Sequence, residues 1–186
     1  MENTVMEFIC IMGRSNSGKS SVEKYLEKMG FKVSVSYTTR KPRIQDGKEE
    51  VNGVDYRFVT EDKFMELVNK GKIIEYEKYG NNYYGTPVPY GSTRYVAVVC
   101  VNGFKALKEK YGNQVLGVYL KCDKDIAIER AEKRDSNKEI IESRLKKDDD
   151  LIKEIESVAD VTIDGNQDLN KVLADILKTL RERRSI

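Results

Sequence analysis

Phe8-Ile9-Cys10-Ile11-Met12-Gly13-Arg14-Ser15-Asn16-Ser17-Gly18-Lys19-Ser20-Ser21 is the stretch on which the fold turns. Its first five residues form a continuous apolar run closed by glycine, the pattern of a strand buried on both faces. The remainder matches the glycine-rich phosphate loop at every fixed position: Gly13, Gly18, Lys19 and Ser20. Val22, Tyr25, Leu26 and Met29 then recur at helical spacing, and Gly30 stands where a helix would end. A strand feeding a glycine loop that opens a helix aims backbone N–H groups and the positive end of the helix dipole at one point. That arrangement suits a nucleoside triphosphate. In this reading Gly13, Arg14, Ser15, Asn16, Ser17, Gly18, Lys19, Ser20 and Ser21 hold ATP. Lys19 lies along the β and γ phosphates, and the Ser20 hydroxyl completes a Mg²⁺ shell shared with phosphate oxygens.

Outward from this loop, strand and helix patterns alternate. Phe31 to Ser36 reads as a second strand, Tyr95 to Val101 as a third and Val115 to Leu120 as a fourth, with Val161-Thr162-Ile163 as a short last one. Helical patterns lie between them: Phe104, Leu107 and Tyr111, then Asp123 to Arg134, then a closing amphipathic helix through Leu169, Val172, Leu173, Ile176, Leu177 and Leu180. Buried apolar strands in βαβ order imply a parallel sheet covered by helices, an α/β three-layer core. The segment from Thr39 to Gly91 breaks the rhythm. It contains all three prolines, and seven of the eleven tyrosines fall between Tyr37 and Tyr90. It reads as an inserted α+β lobe with a strand at Tyr56 to Val59 and a helix capped by Thr60 that carries Phe64, Leu67 and Val68. A hairpin of Ile73 to Tyr79 and Asn82 to Thr86 turns at Gly80-Asn81.

The chain has 186 residues, with 33 basic and 31 acidic ones interleaved to a formal charge of +2. One domain is expected, any anion site must be local, and a dedicated nucleic-acid binder is disfavoured. No apolar stretch approaches the ~18 residues of a membrane span, and the start lacks the features of a signal peptide. Cys10, Cys100 and Cys122 suggest neither a disulfide framework nor a zinc knuckle, which favours a reduced cytoplasm and three small hydrophobes. There is no histidine. Ser-His hydrolysis, His-ligated zinc and an imidazole general base are therefore excluded.

The second group of chemical interest begins after the second strand, at Ser34-Val35-Ser36-Tyr37-Thr38-Thr39-Arg40-Lys41-Pro42-Arg43. Two guanidinium forks three residues apart, stiffened by Pro42, suit a clamp on one phosphate. Tyr56 and Tyr84 can add neutral O–H donors, with core packing as the rival role. Glu75 can accept from the N1–H and N2–H₂ of guanine together, whereas adenine presents an acceptor there; Ser36 can donate to O6.

These residues resemble the guanylate kinase family, in which Ser-x-Thr-Thr-Arg-x-x-Arg, Val-Asn-Gly-x-Asp-Tyr-x-Phe, a Glu and Asn-x-Tyr-Gly-Thr follow a phosphate loop in that order. Here they stand as Ser36 to Arg43, Val51 to Phe58, Glu75 and Asn82 to Thr86, and the resemblance spans roughly residues 6 to 180. It implies a P-loop core at 6–36, 92–128 and 158–184, a nucleoside monophosphate lobe at about 37–91 and a helical lid at about 129–150. It further implies ATP-dependent phosphorylation of GMP or dGMP by a cytoplasmic monomer or homodimer. Ser36, Arg40, Arg43, Tyr56, Glu75, Tyr84 and Thr86 would hold the acceptor, while Lys19, Arg40, Arg130, Arg134 and Arg144 would surround the transferring phosphoryl group. Asp164-Gly165-Asn166 falls where the family contacts adenine.

Two departures stand out. The family's Asp-x-Asp at the end of the third strand is Val98-Val99-Cys100 here, and the loop after Arg43 is longer, leaving either Glu49 or Glu50 as a phosphate-side acid. The alternatives are a P-loop kinase for another nucleotide or a phosphorylated sugar, and a non-catalytic guanylate-kinase-like binding module. The intact phosphate loop argues against the module. A GTPase is disfavoured because no Asp-x-x-Gly switch or Asn-Lys-x-Asp guanine motif is present.

Overall fold

In the computed structural model, residues 7–45, 47–90, 94–133 and 151–184 are described. The chain runs β1 (Glu7–Met12), α1 (Lys19–Lys28), β2 (Lys32–Val33), β3 (Tyr37–Thr38), β4 (Ile44–Gln45), β5 (Lys48–Glu49), β6 (Arg57–Phe58) and α2 (Glu61–Asn69). It continues through β7 (Ile73–Tyr79), β8 (Asn82–Pro87), β9 (Arg94–Val98), α3 (Val101–Tyr111), β10 (Val115–Lys121) and α4 (Lys124–Glu132). The last elements are α5 (151–158), β11 (Val161–Asp164) and α6 (Leu169–Arg184).

Five strands form a parallel sheet in the order β2-β9-β1-β10-β11, with β1 between β9 and β10. Alternation along β1 sends its side chains to opposite faces. Ile9 and Ile11 join Val22 and Leu26 of α1 and Val172, Leu173 and Ile176 of α6. Phe8, Cys10 and Met12 join Phe104 and Leu107 of α3 and Ile155 of α5. The glycine that closes β1 therefore opens at the carboxyl edge of the central strand, where α/β sheets bind their ligands.

The tyrosine-rich insert builds a second sheet, β6-β3-β8-β7, and the β4-β5 ribbon. Thr60 caps α2 by accepting from Lys63 N at 3.3 Å. Phe64 is fully buried under the hairpin, stacked on Tyr83 and edge-on to Tyr76. The turn at Gly80-Asn81 joins β7 to β8 as expected.

Four sequence expectations change. The second strand pairs only at Lys32–Val33, because after Ser34 N bonds Val96 O the chain leaves β9 and crosses to the other sheet at Tyr37. The third strand ends at Val98 rather than Val101, since Cys100 turns outward as the N-cap of α3. On α1 only Val22 and Leu26 are buried, while Tyr25 and Met29 sit 40% and 39% exposed at the edge of that face. Cys10 and Cys122 are small hydrophobes as expected, but Cys100 is exposed.

Candidate active site

The loop between β1 and α1 carries three positive φ angles, at Gly13 (147°), Asn16 (61°) and Gly18 (101°). Gly13 is required twice over, for its backbone angle and because a Cβ there would lie 2.6 Å from Leu120 O. Gly18 is the N-cap of α1, and no side chain caps that helix. No side-chain cap competes there with a ligand for the start of the helix, although the Ser21 amide already bonds Gly18 O at 3.0 Å. Lys19 Nζ reaches back over the loop, donating to Gly13 O at 2.8 Å and Arg14 O at 2.6 Å. Arg14 and Ser17 are buried beneath the loop, Ser15, Asn16 and Ser21 are half-buried, and Ser20 is exposed at its mouth.

Two cavities flank the loop. One of about 310 Å³ is lined by Ser17, Gly18, Ser21, Arg130, Gly165 and Gln167, among others. Arg130 of α4 donates to Ser17 O at 3.2 Å, so the arginine already touches the phosphate loop. Gly165 lies against Lys121 O, where a Cβ would come within 2.8 Å, and Asn166 accepts from Asp123 N at 2.9 Å. These contacts fix the turn after β11 at the floor of this cavity. Arg134 and Arg144 fall outside the described residues.

The other cavity, about 340 Å³, is lined by Ser20 from α1, by Ser36, and by Glu50 and Tyr56 from the insert. Arg40 stands behind them, 8% exposed, in a bidentate pair with Glu50: Nη1 to Oε2 at 2.7 Å and Nη2 to Oε1 at 3.0 Å. Its guanidinium lies 5.1 Å from the Tyr56 ring centre and 5.6 Å from that of Phe58. Tyr84 meets Tyr56 edge-on at 6.0 Å. Burial opposes the Arg40 charge, but Glu50 more than offsets this and keeps the guanidinium above its ordinary pKa. Arg40 in turn holds the Glu50 carboxyl below its ordinary value. Burial pushes the Tyr56 hydroxyl up, so it remains a neutral donor.

Of the two candidate acids, Glu50 is the one paired with Arg40, and it also accepts from Arg43 N at 2.7 Å, whereas Glu49 is exposed on β5. This pairing also modifies the expected clamp. Arg40 is oriented by a carboxylate, while the Arg43 side chain is exposed at the rim. The two tyrosines pack edge-on against each other, and Tyr56 also lines the cavity.

A third cluster lies where the hairpin meets α3. Glu75 on β7 is directly opposite Thr86 on β8. A Cβ added to Gly103 would sit 2.6 Å from Thr86 Oγ1, 3.4 Å from Glu75 Oε2 and 3.6 Å from Cys100 Sγ. These polar groups therefore converge on the first turn of α3, and Val98, two residues before Cys100, lines the 340 Å³ cavity. Gly103 N donates to Cys100 Sγ at 3.3 Å, and Sγ is 3.9 Å from Glu75 Oε2. Burial, reinforced by the Glu77 carboxylate, pushes Glu75 up to about 7. Although Cys100 as a residue is exposed, its sulfur is desolvated where it packs against α3 and Glu75, and with the Glu75 and Glu77 carboxylates this raises the thiol to about 11, which keeps it protonated. Glu75 and Thr86, both expected from the sequence in the acceptor set, are brought side by side here. Glu77, which the sequence did not single out, lies beside them at period-2 spacing from Glu75.

A family model described as guanylate kinase matches residues 5–183 of the chain. A guanylate kinase of Helicobacter pylori is 34% identical over 193 aligned positions, covering 97% of this chain and 91% of that protein. One from Lactobacillus acidophilus is 32% identical over 181, covering 90% and 87%. In three dimensions the chain resembles the guanylate kinase of Anaplasma phagocytophilum, with a TM-score of 0.70 at 24% identity over 97% of this chain and 87% of that one. A gluconokinase from Sinorhizobium meliloti shares the fold more distantly, at a TM-score of 0.51 and 18% identity, over 95% and 92% of the two chains.

Proposed function

This chain belongs to the guanylate kinase family, and we propose that it moves the γ-phosphoryl group of ATP onto GMP or dGMP, releasing ADP and the nucleoside diphosphate. The observation that carries this reading is the 340 Å³ cavity, lined from one side by Ser20 of the phosphate-loop helix and from the other by Ser36, Glu50 and Tyr56. A donor phosphate on the loop and an acceptor phosphate beside Arg40 would meet there.

The chemistry asks for little else. The second pKa of a phosphate monoester is about 6, so the acceptor oxygen arrives ionised and no general base is required. A protein without histidine can do this. Its task is to hold donor and acceptor in line and to neutralise the equatorial oxygens. Gly13 to Ser21 would cradle the donor phosphates, with Lys19 turning from its carbonyl partners to the β and γ oxygens. Arg130 would reach the same group from α4, and Arg134 and Arg144 are proposed for the lid at about 129–150 on sequence alone. The 310 Å³ cavity beside Gly165 and Gln167 suits the adenosine.

For the acceptor, Arg40 with Tyr56 and Tyr84 would bind the phosphate, Arg43 would close on it from the rim, and Ser36, Glu75 and Thr86 would read the base. The donor set also fits Mg²⁺, which prefers one or two protein oxygens together with phosphates and water. Ser20, exposed at the cavity mouth, would hold it. There the ion would supply neutralisation of charge on the phosphate oxygens. Among the described residues no helix is long and apolar enough to cross a membrane. Action in the cytoplasm as a monomer or homodimer is proposed from the family resemblance. The lobe at about 37–91 is the part proposed to close on the acceptor.

An assay coupled to ADP release, run with GMP, dGMP, AMP, UMP and CMP, tests the reading. Turnover of GMP and dGMP above the others is expected. No turnover with any of them would remove the kinase assignment, and a preference for AMP would remove the role of Glu75.

A further inference from the structure

If the site reads guanine, its hydrogen-bond inventory has to close. The edge of guanine that distinguishes it from other bases presents three N–H bonds, one on N1 and two on the 2-amino group. A single carboxylate has the geometry to take N1–H and one N2–H side by side. The other N2–H then needs its own acceptor, because a buried donor left unpaired loses much of the affinity the site is built for. Cys100 stands in the appropriate place but cannot serve. Its thiol is held protonated, Sγ already accepts from Gly103 N, and sulfur is a weak acceptor.

The neighbouring strand supplies what is missing. Glu75 and Glu77 are two apart on β7 and so share one face, opposite Thr86 and Tyr84 on β8. Tyr76 and Tyr83, on the other face, pack against Phe64 instead. A carboxylate oxygen of Glu75, one of Glu77 and Cys100 Sγ all lie within 4.8 Å of one another. Glu75 is half-buried and Glu77 exposed, an inner and an outer acceptor. Glu77 has no hydrogen bond or ion pair among the described residues. A second, independent feature points to a ligand at this spot. Thr86 is 5% exposed, its hydroxyl makes no hydrogen bond among the described residues, and it converges with Glu75 and Cys100 on the same point above Gly103.

We propose that Glu77 is a specificity-determining residue of the acceptor site, taking the second N–H of the 2-amino group in place of the acid that is absent at Cys100. The inference rests on the acceptor reading given above. Two acceptors in a row complement a donor-rich edge and repel the acceptor nitrogens of adenine. They also repel each other, and a ligand that presents three N–H groups relieves that repulsion. The acid has moved from the start of α3 to the strand that packs against it.

The test is steady-state kinetics with ATP and either GMP or inosine monophosphate, whose base is the same 6-oxopurine without the 2-amino group. Glu77→Ala and Glu77→Gln are expected to lower kcat/KM for GMP by roughly 10- to 100-fold, mainly through KM, and to change it little for inosine monophosphate. Adding Cys100→Asp to Glu77→Ala is expected to restore most of the preference for GMP. An unchanged ratio between the two acceptors in the Glu77 variants would overturn the proposal, as would an equal loss on both, which would mark a merely structural role. Wild-type protein that phosphorylates neither would overturn the kinase reading itself, and this inference with it.

Discussion

Lys19 is the residue on which donor chemistry and loop architecture meet, because its ammonium is bound to the carbonyls of the very loop that would cradle the phosphates. Lys19→Ala is expected to lower kcat by roughly 10²- to 10³-fold, the usual cost of removing one preorganised charge from a transition state. GMP binding, measured by calorimetry, should stay within a few-fold, because the acceptor contacts lie on the insert. Loss of both would contradict a two-site arrangement. Arg40 stood out in the sequence as a proposed phosphate ligand, and Glu50 only as one of two candidate acids. Glu50 is ten residues away along a loop of no regular pattern, and only the fold brings its carboxylate bidentate to the guanidinium. Glu50→Gln leaves a buried charge without its counter-ion. It is expected to raise KM for GMP about tenfold and to cost on the order of 1–3 kcal/mol of stability in urea unfolding. Glu75 gives a pH signature. Its carboxyl sits at about 7 in the fold, against about 4.3 in an unfolded chain. The unfolded state therefore releases this proton first, so the free protein should lose stability as pH rises through that interval and level off above it. Glu75→Gln should abolish that slope in thermal melts recorded across the interval. A slope that persists in the variant would assign the effect to another group.

At the scale of elements, the parts most legible from sequence are those whose burial is two-sided and whose ends carry chemistry. From Phe8 to Met12 β1 is apolar because α1 and α6 cover one face and α3 and α5 the other, and its exit is marked by a glycine that nothing else can replace. The hairpin was equally legible, since its turn needs Gly80 at positive φ and its faces alternate. What apolarity could not reveal is where a strand stops. Val98-Val99-Cys100-Val101 is uniformly apolar, yet the sheet ends at Val98, and Val99 and Val101 are buried as the chain turns into α3. Cys100 then caps α3 through sulfur, a role usually held by Ser, Thr, Asp or Asn. The consequence falls on Gly103, in the first turn of the helix. Alanine there should help the helix by up to about 1 kcal/mol on propensity alone. Its methyl, however, would sit 2.6 Å from Thr86 Oγ1 and against Glu75. Gly103→Ala is therefore expected to raise KM for GMP at least tenfold while KM for ATP is unchanged and the melting temperature moves little. A large drop in melting temperature with normal KM would mean that Gly103 serves packing rather than the pocket.

For the whole molecule, the near balance of 33 basic and 31 acidic residues implies that affinity for two polyanions must come from a few cations focused on one cleft. The first turn of α1 divides that cleft. Ser20 faces the 340 Å³ cavity, while Gly18 and Ser21 face the 310 Å³ cavity with Arg130. Two ligands on either side of a single helical turn are within reach of one short tether, and tethering converts the second binding event into an intramolecular one. A compound joining adenosine and guanosine through a polyphosphate should accordingly bind at least ~100-fold more tightly than ATP or GMP alone. At a hundred times its Kd it should stabilise the fold by about 2.7 kcal/mol, roughly 5–10 °C for a domain of this size. Lys19→Ala should remove most of that gain by weakening the centre of the tether, and an arginine variant at Arg40 should remove the guanosine share. If the joined compound binds no better than its adenosine half, the two cavities cannot be filled at once, and in-line transfer between them is not what this cleft does.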